Sequence, residues 1–235
     1  MSHSFHLNSF DTHIVFDVET TGLNGRRDLV IEFGAVKQTG QSTEALEETD
    51  FLIRLPEGKT LPSAITRLTG ITNQQLSEEG ISEAHAAERI AGLLSQPDTL
   101  LVAYNAQFDL VFLYWLLQRN GQASCLKHVK LLDALTVYRD RRPYPHKLSN
   151  AIASYHLNGT NSHRSLDDAK ATLELLWRMQ EERDDLERYV NLFGYHPRYG
   201  VSGQRISSVT YRPQGFDAAR KLYELSSRLE RDSIG

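Results

Sequence analysis

The sequence predicts an α/β fold in which a mixed five-stranded sheet is flanked by helices. Three apolar segments follow one another early in the chain through short polar connections, and a strand, a helix and another strand come after them. Short connections indicate antiparallel neighbours, whereas an intervening helix indicates a parallel pair. The 235 residues suffice for one domain of ordinary size with an appendage.

The predicted strands are short runs of apolar, β-forming residues bounded by turn residues. They comprise residues 14–18, 29–37, 51–55, 99–103 and 129–132. The predicted helices carry apolar residues at helical spacing. They comprise residues 81–94, 105–121, 147–155 and 166–183.

The C-terminal part of the chain differs in composition. Residues 191–215 are rich in Gly, Pro and aromatic residues, and a helical pattern returns over residues 216–229. An aromatic segment is too apolar for a free linker. We therefore predict a main domain over residues 11–183 and a C-terminal extension over residues 184–235, an aromatic loop and helix that pack on it. The alternative is a surface for self-association or for a partner protein.

Composition indicates a cytoplasmic protein that does not contact a membrane. The single cysteine, Cys125, excludes an intramolecular disulfide framework and suits a reducing compartment. The N-terminal residues lack the charged and apolar blocks of a signal peptide, and the longest apolar run, residues 110–117, is too short to cross a bilayer.

Two carboxylates lie close together on the first predicted strand. Asp17 and Glu19 are two residues apart, and because side chains alternate along a strand they point to the same face. Charged carboxylates beside a hydrophobic sheet repel each other and resist desolvation, and a bound cation relieves both penalties. An all-oxygen cluster favours Mg²⁺ or Mn²⁺ over Zn²⁺. The alternative is a strand end that emerges into solvent.

A third carboxylate, Asp109, follows the fourth predicted strand. Asn105 is predicted to cap the helix that begins there, which puts Asp109 in the first turn. A negative charge at this place also suits the helix dipole. The dipole is the alternative explanation for this residue.

A histidine and two aspartates mark the start of the last long helix. His163 lies just before it, and the ordinary pKa of a histidine, about 6.5, suits a general base that acts on water beside a metal. A solvated loop residue is the alternative. Asp167 and Asp168 follow in the first turns, and helical periodicity does not choose between them because neither lies on the apolar stripe.

At these positions the chain resembles the DEDDh 3′→5′ exonucleases of the DnaQ-like family, related to the proofreading epsilon subunit of bacterial DNA polymerase III. The matched motifs are Asp-x-Glu-Thr-Thr-Gly at 17–22, Asn-Ala-x-Phe-Asp at 105–109 and His-x4-Asp at 163–168. The last motif selects Asp168 over Asp167. The resemblance spans about residues 11–180, includes the noncatalytic stretches 65–72, 133–135 and 146–148, and implies a ribonuclease H-like fold. Tyr104 departs from the pattern, since many members have His there, and this touches substrate contacts more than metal binding.

The resemblance implies a two-metal mechanism that releases nucleoside 5′-monophosphates from a single-stranded or frayed 3′ end, in proofreading or repair. Two divalent ions, Mg²⁺ or Mn²⁺, are the implied cofactors. Asp17, Glu19 and Asp168 would hold one ion. Asp17 would bridge to the second, which Asp109 would support largely through water, and His163 would take the proton from the nucleophilic water. The implied substrate contacts come from Thr20, Thr21, Gly22, Leu23, Asn105 and Phe108.

The implied partners are the 3′ end of single-stranded DNA and, as a candidate, a DNA polymerase. Two other functions stay open at this point. One is RNA 3′-end trimming of the ribonuclease T or oligoribonuclease type, because the sequence does not decide whether a 2′-hydroxyl is accepted. The other is a noncatalytic accessory subunit of a polymerase, against which the complete set of five site residues argues.

One basic stretch is a candidate grip on a single strand. The chain carries a net charge of −4, so phosphate contact depends on the local distribution of cations. Aromatic and proline residues interleave the basic ones, an arrangement that suits phosphate pairing and base stacking. A solvated loop between helices explains the pattern equally well. The basic residues are Arg139, Arg141, Arg142, His146 and Lys147.

Overall fold

The computed structural model describes residues 7–40, 46–159, 161–215 and 220–224. The main sheet has five strands in the order β3-β2-β1-β4-β5. The pairs β1–β2 and β2–β3 are antiparallel, and the pairs β1–β4 and β4–β5 are parallel. The predicted mixed five-stranded sheet is therefore confirmed. Its strands are β1 (Thr12–Thr20), β2 (Val30–Thr39), β3 (Leu46–Leu52), β4 (Thr99–Ala103) and β5 (Lys130–Asp133).

Seven α-helices are found in the described part of the chain, together with a small second sheet of two parallel strands. The helices are α1 (Ser63–Thr69), α2 (Asn73–Glu78), α3 (Glu83–Leu93), α4 (Ala106–Arg119), α5 (Ala134–Arg141), α6 (Leu148–Tyr155) and α7 (Ser165–Glu182). The second sheet consists of β6 (Leu192–Tyr195) and β7 (Thr210–Pro213). None of the described helices combines the length and the apolar character that crossing a membrane requires.

The third strand differs from the sequence-based prediction. It was expected over residues 51–55, but β3 pairs with β2 over Leu46–Leu52, and Ile53 forms only an isolated bridge to Ile81. β3 is the edge strand of the sheet, where charged side chains are tolerated. Its first half, which contains three acidic residues and a threonine, therefore carries no apolar signal. Helices α1, α2 and α5, of seven, six and eight residues, were not predicted; so few turns give only a weak periodic signal, although α6, which is equally short, was predicted.

The side chains of β1 alternate between two hydrophobic cores. Ile14, Phe16 and Val18 belong to the core that includes residues of α3 and α4. Val15 belongs to the core that includes residues of α5, α6 and α7. By the same alternation Asp17 and Glu19 lie on the Val15 face of the strand. This is the face on which α7 contacts β1.

The described part of the C-terminal extension packs against the main sheet. Backbone and side chain of Asn191 both bond Leu131 of β5, with N–O distances of 2.7 and 3.0 Å. Phe193 and Tyr211 enter the core shared with α3 and α4, where their ring centres lie 6.0 Å apart. Most of the helix predicted over residues 216–229 lies outside the described residues; within it, Leu222–Glu224 forms a 3-10 turn.

Candidate active site

The central strand β1 brings two half-buried carboxylates, Asp17 and Glu19, to one face of the sheet. Burial, together with the negative charges of Asp109, Glu19 and Asp168, raises the pKa of Asp17 well above its ordinary value. Burial and the charges of Asp168, Glu32 and Asp109 raise the pKa of Glu19 from 4.5 to about 8. Both shifts have the same physical cause, since negative groups crowd together at a place that water reaches only in part.

Hydrogen bonding distinguishes these two acids from a structural one nearby. Among the described residues, no group donates a hydrogen bond to the carboxylate of Asp17 or Glu19. The buried carboxylate of Asp133, in contrast, accepts bonds from the backbone N–H groups of Asn105, Ala106 and Leu135 and from the Thr136 hydroxyl, at 2.7–3.1 Å. A half-buried carboxylate that is crowded by other negative groups and receives no hydrogen bond is stabilised by a bound proton or by a bound cation. Asp17 and Glu19 meet that description and Asp133 does not.

Helix α4 contributes Asp109 from its first turn. The carboxylate is buried and accepts a hydrogen bond from the backbone N–H of Val18, 3.3 Å away, which ties the helix to β1 between the two strand acids. Burial raises the pKa of Asp109 well above its ordinary value, and the bond from Val18 opposes part of that shift. Asp109 thus has a structural partner in addition to its place beside Asp17.

Asn105 lies at the N-cap position of α4 as predicted, but its side chain does not form the capping hydrogen bond. Its backbone is left-handed there, with φ 66°. The backbone N–H groups of Asn105 and Ala106 donate instead to Asp133 at the end of β5. A carboxylate distant in sequence performs the capping role, which local pattern cannot reveal.

The start of α7 supplies the histidine and the fourth carboxylate. Glu19, His163 and Asp168 each offer a ligand atom, and the three atoms lie within 4.8 Å of one another. Asp17 and Asp109 are not members of this close group of three. Burial raises the pKa of Asp168 to about 6, and hydrogen bonds from Ser162 N–H and the Asn161 side chain oppose the shift.

The neighbouring Asp167 points elsewhere. Its side chain is exposed, and its carboxylate accepts a hydrogen bond from the Ser162 hydroxyl at 2.8 Å. Asp168 is buried on the side of α7 that packs on the sheet. The geometry therefore agrees with the choice of Asp168 that the motif spacing makes.

A buried glutamate that sequence reasoning missed holds the loop that carries His163. Glu32 lies opposite Glu19 in the β1–β2 pairing and is fully buried. One carboxylate oxygen accepts from Arg164 at 2.7 Å, and the other accepts from the backbone N–H and the hydroxyl of Ser165, both at 2.8 Å. These three bonds fix the two residues that follow His163. The sequence did contain a signal for this role, because Glu32 is the one charged residue in the apolar first part of β2.

Close packing at Gly34 brings α7 onto the sheet. A Cβ atom at Gly34 would lie 2.2 Å from the backbone nitrogen of Leu166 and 2.4 Å from the backbone carbon of Ser165. No side chain fits there, so the first turn of α7 rests directly on β2. This contact determines how closely Asp168 and His163 approach Asp17 and Glu19.

The turn after β1 has one buried and one exposed end. The Thr20 hydroxyl donates to the carbonyl of Gly22 at 2.7 Å, and Thr21 exchanges hydrogen bonds with Leu29 at 2.9 Å. Leu23 at the tip is 87% exposed. It lines a groove with Phe108, whose ring packs on Phe112 inside α4. A rigid turn that presents an apolar side chain beside an aromatic ring can contact a nucleobase.

Tyr104 is anchored away from this turn. Its hydroxyl donates to the carbonyl of His146 at 2.8 Å, and the His146 ring contacts the carbonyl of Arg142 at 2.8 Å. Tyr104 therefore supports the loop between α5 and α6.

Two of the five basic residues that were predicted to bind the strand form salt bridges with acidic residues. Arg141 is buried and bonds Asp185 at 2.5 Å, and it also contacts the Met179 carbonyl. Arg142 pairs with Glu182 at 2.9 Å. Two of the five basic residues thus serve to hold α5 against α7 and the segment after it, which favours the structural interpretation of this stretch.

The donor set fits hard divalent cations. Four carboxylates from β1, α4 and α7 converge, two of them have no hydrogen-bond donor among the described residues, and oxygen ligands suit Mg²⁺ and Mn²⁺. The histidine nitrogen beside Glu19 and Asp168 is compatible with Mn²⁺ as well as with a base. Fold and site together define a nuclease-type acidic centre at the end of a mixed sheet.

Comparison with known proteins identifies the family. The family model RNase_T, described as an exonuclease, matches residues 14–176, so the chain belongs to this exonuclease family. This confirms the membership that the three motifs predict. The matched region contains all five candidate site residues: Asp17, Glu19, Asp109, His163 and Asp168.

Curated relatives include bacterial polymerases of much greater length. A PolC-type DNA polymerase III of Halalkalibacterium halodurans is 34% identical over 184 residues, which cover 74% of this chain and 12% of the relative. The PolC-type polymerase of Caldanaerobacter subterraneus is 29% identical over 224 residues, 92% of this chain and 15% of the relative. The chain therefore spans a small fraction of the proteins it matches.

Solved structures confirm the predicted ribonuclease H-like α/β fold. An E. coli ExoI–ssDNA complex superposes with a TM-score of 0.68 at 23% identity, covering 77% of this chain and 42% of that one. E. coli exonuclease I with a dT13 oligonucleotide gives 0.67 at 22% identity, with 76% and 43% covered. At such identities the similarity bears on the fold alone.

Proposed function

We propose that the chain is a metal-dependent 3′→5′ exonuclease that removes nucleoside 5′-monophosphates from single-stranded or frayed DNA. The observation that carries this proposal is the convergence of Glu19, His163 and Asp168 within 4.8 Å, beside the half-buried Asp17 carboxylate, which receives no hydrogen bond from the described residues. The proposed catalytic domain is residues 11–183, and residues 184–235 are its extension.

Each site residue has a role that its surroundings support. Asp17, Glu19, Asp109 and Asp168 are the proposed ligands of two divalent ions, Mg²⁺ or Mn²⁺. When bound, the ions would offset the negative charge of the site and stabilise charge on the scissile phosphate. His163 accepts the proton of the attacking water at a ring nitrogen, a role suited to an imidazole near neutral pH.

The terminal nucleotide is proposed to lie between the turn after β1 and the start of α4. Leu23 and Phe108 are exposed or half-buried on the two sides of one groove, where they can contact the last base. The remaining proposed substrate contacts are Thr20, Thr21, Gly22 and Asn105.

DNA is the proposed substrate because the curated relatives are DNA polymerases and the similar solved structures hold single-stranded DNA. A chain that matches only a small part of a polymerase can act beside one, and we propose a DNA polymerase as the partner. The experiment below distinguishes this function from the two alternatives, RNA trimming and a noncatalytic accessory role.

The test uses the purified chain with matched DNA and RNA oligomers labelled at either end. With Mn²⁺, 5′-labelled DNA should shorten in single-nucleotide steps and 3′-labelled DNA should release labelled mononucleotide at once, while a chelator should stop both reactions. Faster shortening of RNA would assign the RNA-trimming function instead. No shortening of either polymer with Mg²⁺ or Mn²⁺ would assign the noncatalytic role.

A further inference from the structure

The segment that contains β6, β7 and the loop between them has an unusual charge for this chain. Residues 190–215 contain three arginines and no Asp or Glu, although the chain as a whole has a net charge of −4. Aromatic residues interleave the basic ones. We call residues 195–205 the C-terminal arm; its basic and aromatic members are Tyr195, His196, Arg198, Tyr199 and Arg205.

Two grooves border the arm, and each is also lined by a residue proposed to contact the substrate: Asn105 in one and Leu23 in the other. A first groove, about 270 Å³, lies between the arm and Asn105 and Arg139. A second groove, about 390 Å³, lies between residues 202–204 of the arm and the turn that carries Leu23. Gln107, two residues before Asp109, lines both grooves. A strand whose terminal base contacts Leu23 can therefore reach the arm without leaving the surface.

Hydrogen bonds hold the arm in this place. The Gln107 side chain, which is buried, donates to the carbonyl of Gln204 and accepts from the Tyr211 hydroxyl at 2.5 Å. Tyr211 also accepts from the backbone N–H of Ile206 at 2.8 Å. The arm is thus attached to the first turn of α4, the turn that also carries Asp109.

The tip of the arm presents a ring and a cation to solvent. Tyr199 is 75% exposed, and its ring centre lies 4.9 Å from that of His196. The backbone N–H groups of Tyr199 and Gly200 both donate to the His196 carbonyl at 3.0 Å. The Arg198 guanidinium lies 5.6 Å from the Tyr199 ring, and no carboxylate of the described residues pairs with it.

The first groove adds a second cation to this surface. Arg139 lines the groove, and its guanidinium lies 3.5 Å from the carbonyl of Gly194. Asp133 is the only carboxylate among the described residues that line the groove, and its oxygens are occupied by four hydrogen bonds. Negative phosphates therefore meet cations rather than acids along this wall.

We propose that the C-terminal arm binds the single strand immediately upstream of the terminal nucleotide, with Tyr199 stacked on a base and Arg198 and Arg139 paired with phosphates. The inference rests on the proposed exonuclease function and names an additional subsite for the same substrate. An exposed ring beside two arginines that form no salt bridge with the described residues suits single-stranded nucleic acid, because stacking and phosphate pairing are independent of sequence.

The test compares short and long oligothymidylates, since a dinucleotide fills the catalytic centre alone and a longer strand also reaches the arm. Tyr199→Ala should raise KM for the long oligomer by about 5- to 150-fold, the usual worth of one stacked base, and should leave kcat and dinucleotide cleavage unchanged. Tyr199→Phe should behave as wild type. Arg198→Ala should weaken binding and reduce the slope of log K against log salt by about 0.7.

Tyr144→Ala is the matched control. Tyr144 is 77% exposed and lies in the basic stretch after α5, so it offers a similar ring at the competing position. It should leave KM for the long oligomer unchanged. An increase in KM for the long oligomer in Tyr144→Ala but not in Tyr199→Ala would overturn the proposal. Equal increases in KM for the short and the long substrate in Tyr199→Ala would also overturn it.

A binding measurement separates failure of the arm from failure of the proposed function. Fluorescence anisotropy of a labelled long oligomer with metal-free protein requires no cleavage. Weaker binding by Tyr199→Ala than by wild type would support the arm even if no oligomer were cut, and equal binding would overturn it even if the enzyme were active.

Discussion

Replacing Glu19 by glutamine should stabilise the metal-free protein at alkaline pH. Burial and the nearby charges of Asp168, Glu32 and Asp109 raise the pKa of Glu19 from 4.5 to about 8. A group whose pKa is higher in the folded state contributes stability that is fully present below the unfolded value and is lost as pH rises through the folded value. For Glu19 this window runs from pH 4.5 to about 8.

The size of the effect follows from the same shift. At 1.36 kcal/mol per pKa unit, a change from 4.5 to about 8 corresponds to about 5 kcal/mol. This is a ceiling, because Asp17, whose pKa is also raised, can take up a proton and relieve part of the repulsion. Half of the ceiling would change the melting temperature by about 5–10 °C at 2–4 °C per kcal/mol.

The assay is thermal unfolding of metal-free protein across this pH range. Wild type should lose stability as pH rises from 5 to 8.5, Glu19→Gln should lose much less, and Mn²⁺ at high pH should stabilise wild type but not the variant. Glu47→Gln, the same change at an exposed side chain, is the control. Equal pH slopes for wild type and Glu19→Gln would refute the view that this carboxylate lacks a compensating partner.

Three further substitutions test the roles assigned to individual residues. Asp168→Asn should be nearly inactive yet folded and Asp167→Asn nearly wild type in steady-state cleavage of a DNA oligomer; the reverse order would show that the motif alignment is wrong by one residue. His163→Ala should lower kcat by about 10²–10⁴ while calorimetry shows Mn²⁺ affinity retained, and loss of Mn²⁺ binding would make His163 a ligand. Glu32→Gln should lower kcat by up to about 10²-fold through misplacement of the loop next to His163, with KM unchanged; unaltered kcat would leave Glu32 a purely structural role.

Much of the fold could be predicted from the sequence because the buried strands and the long helices carry strong periodic patterns. Strands β1, β2, β4 and β5 and helices α3, α4, α6 and α7 lie within a few residues of their predicted places. β3 was shifted because an edge strand can be polar. The parallel β6–β7 pair joins segments whose sequence shows turns and aromatic residues, and only tertiary packing brings them together.

The residues of the candidate site also differ in whether the sequence alone could predict them. Asp17 and Glu19 share a face by strand alternation, so a local rule suffices for them. Asp168 is selected only by the spacing of the family motif, because helical periodicity does not separate it from Asp167.

Asp133 and Glu32 act through hydrogen bonds to residues that are distant in sequence. Asp133 bonds Ala106, 27 positions away, and Glu32 bonds Arg164, 132 positions away. No local pattern links such partners. Their roles become visible only when the strands are assembled.

The central claim is that the acidic cluster is a divalent-metal catalytic centre, and Asp17 tests it most directly because this carboxylate is proposed to hold both ions. The measurement is cleavage of 5′-labelled single-stranded DNA by wild type and Asp17→Ala over a Mn²⁺ titration, with oligomer binding followed in parallel. Wild-type activity should rise with Mn²⁺ and vanish with chelator, whereas Asp17→Ala should be inactive at every concentration and still bind the oligomer. Unchanged turnover in Asp17→Ala, or wild-type turnover that survives the chelator, would contradict the account.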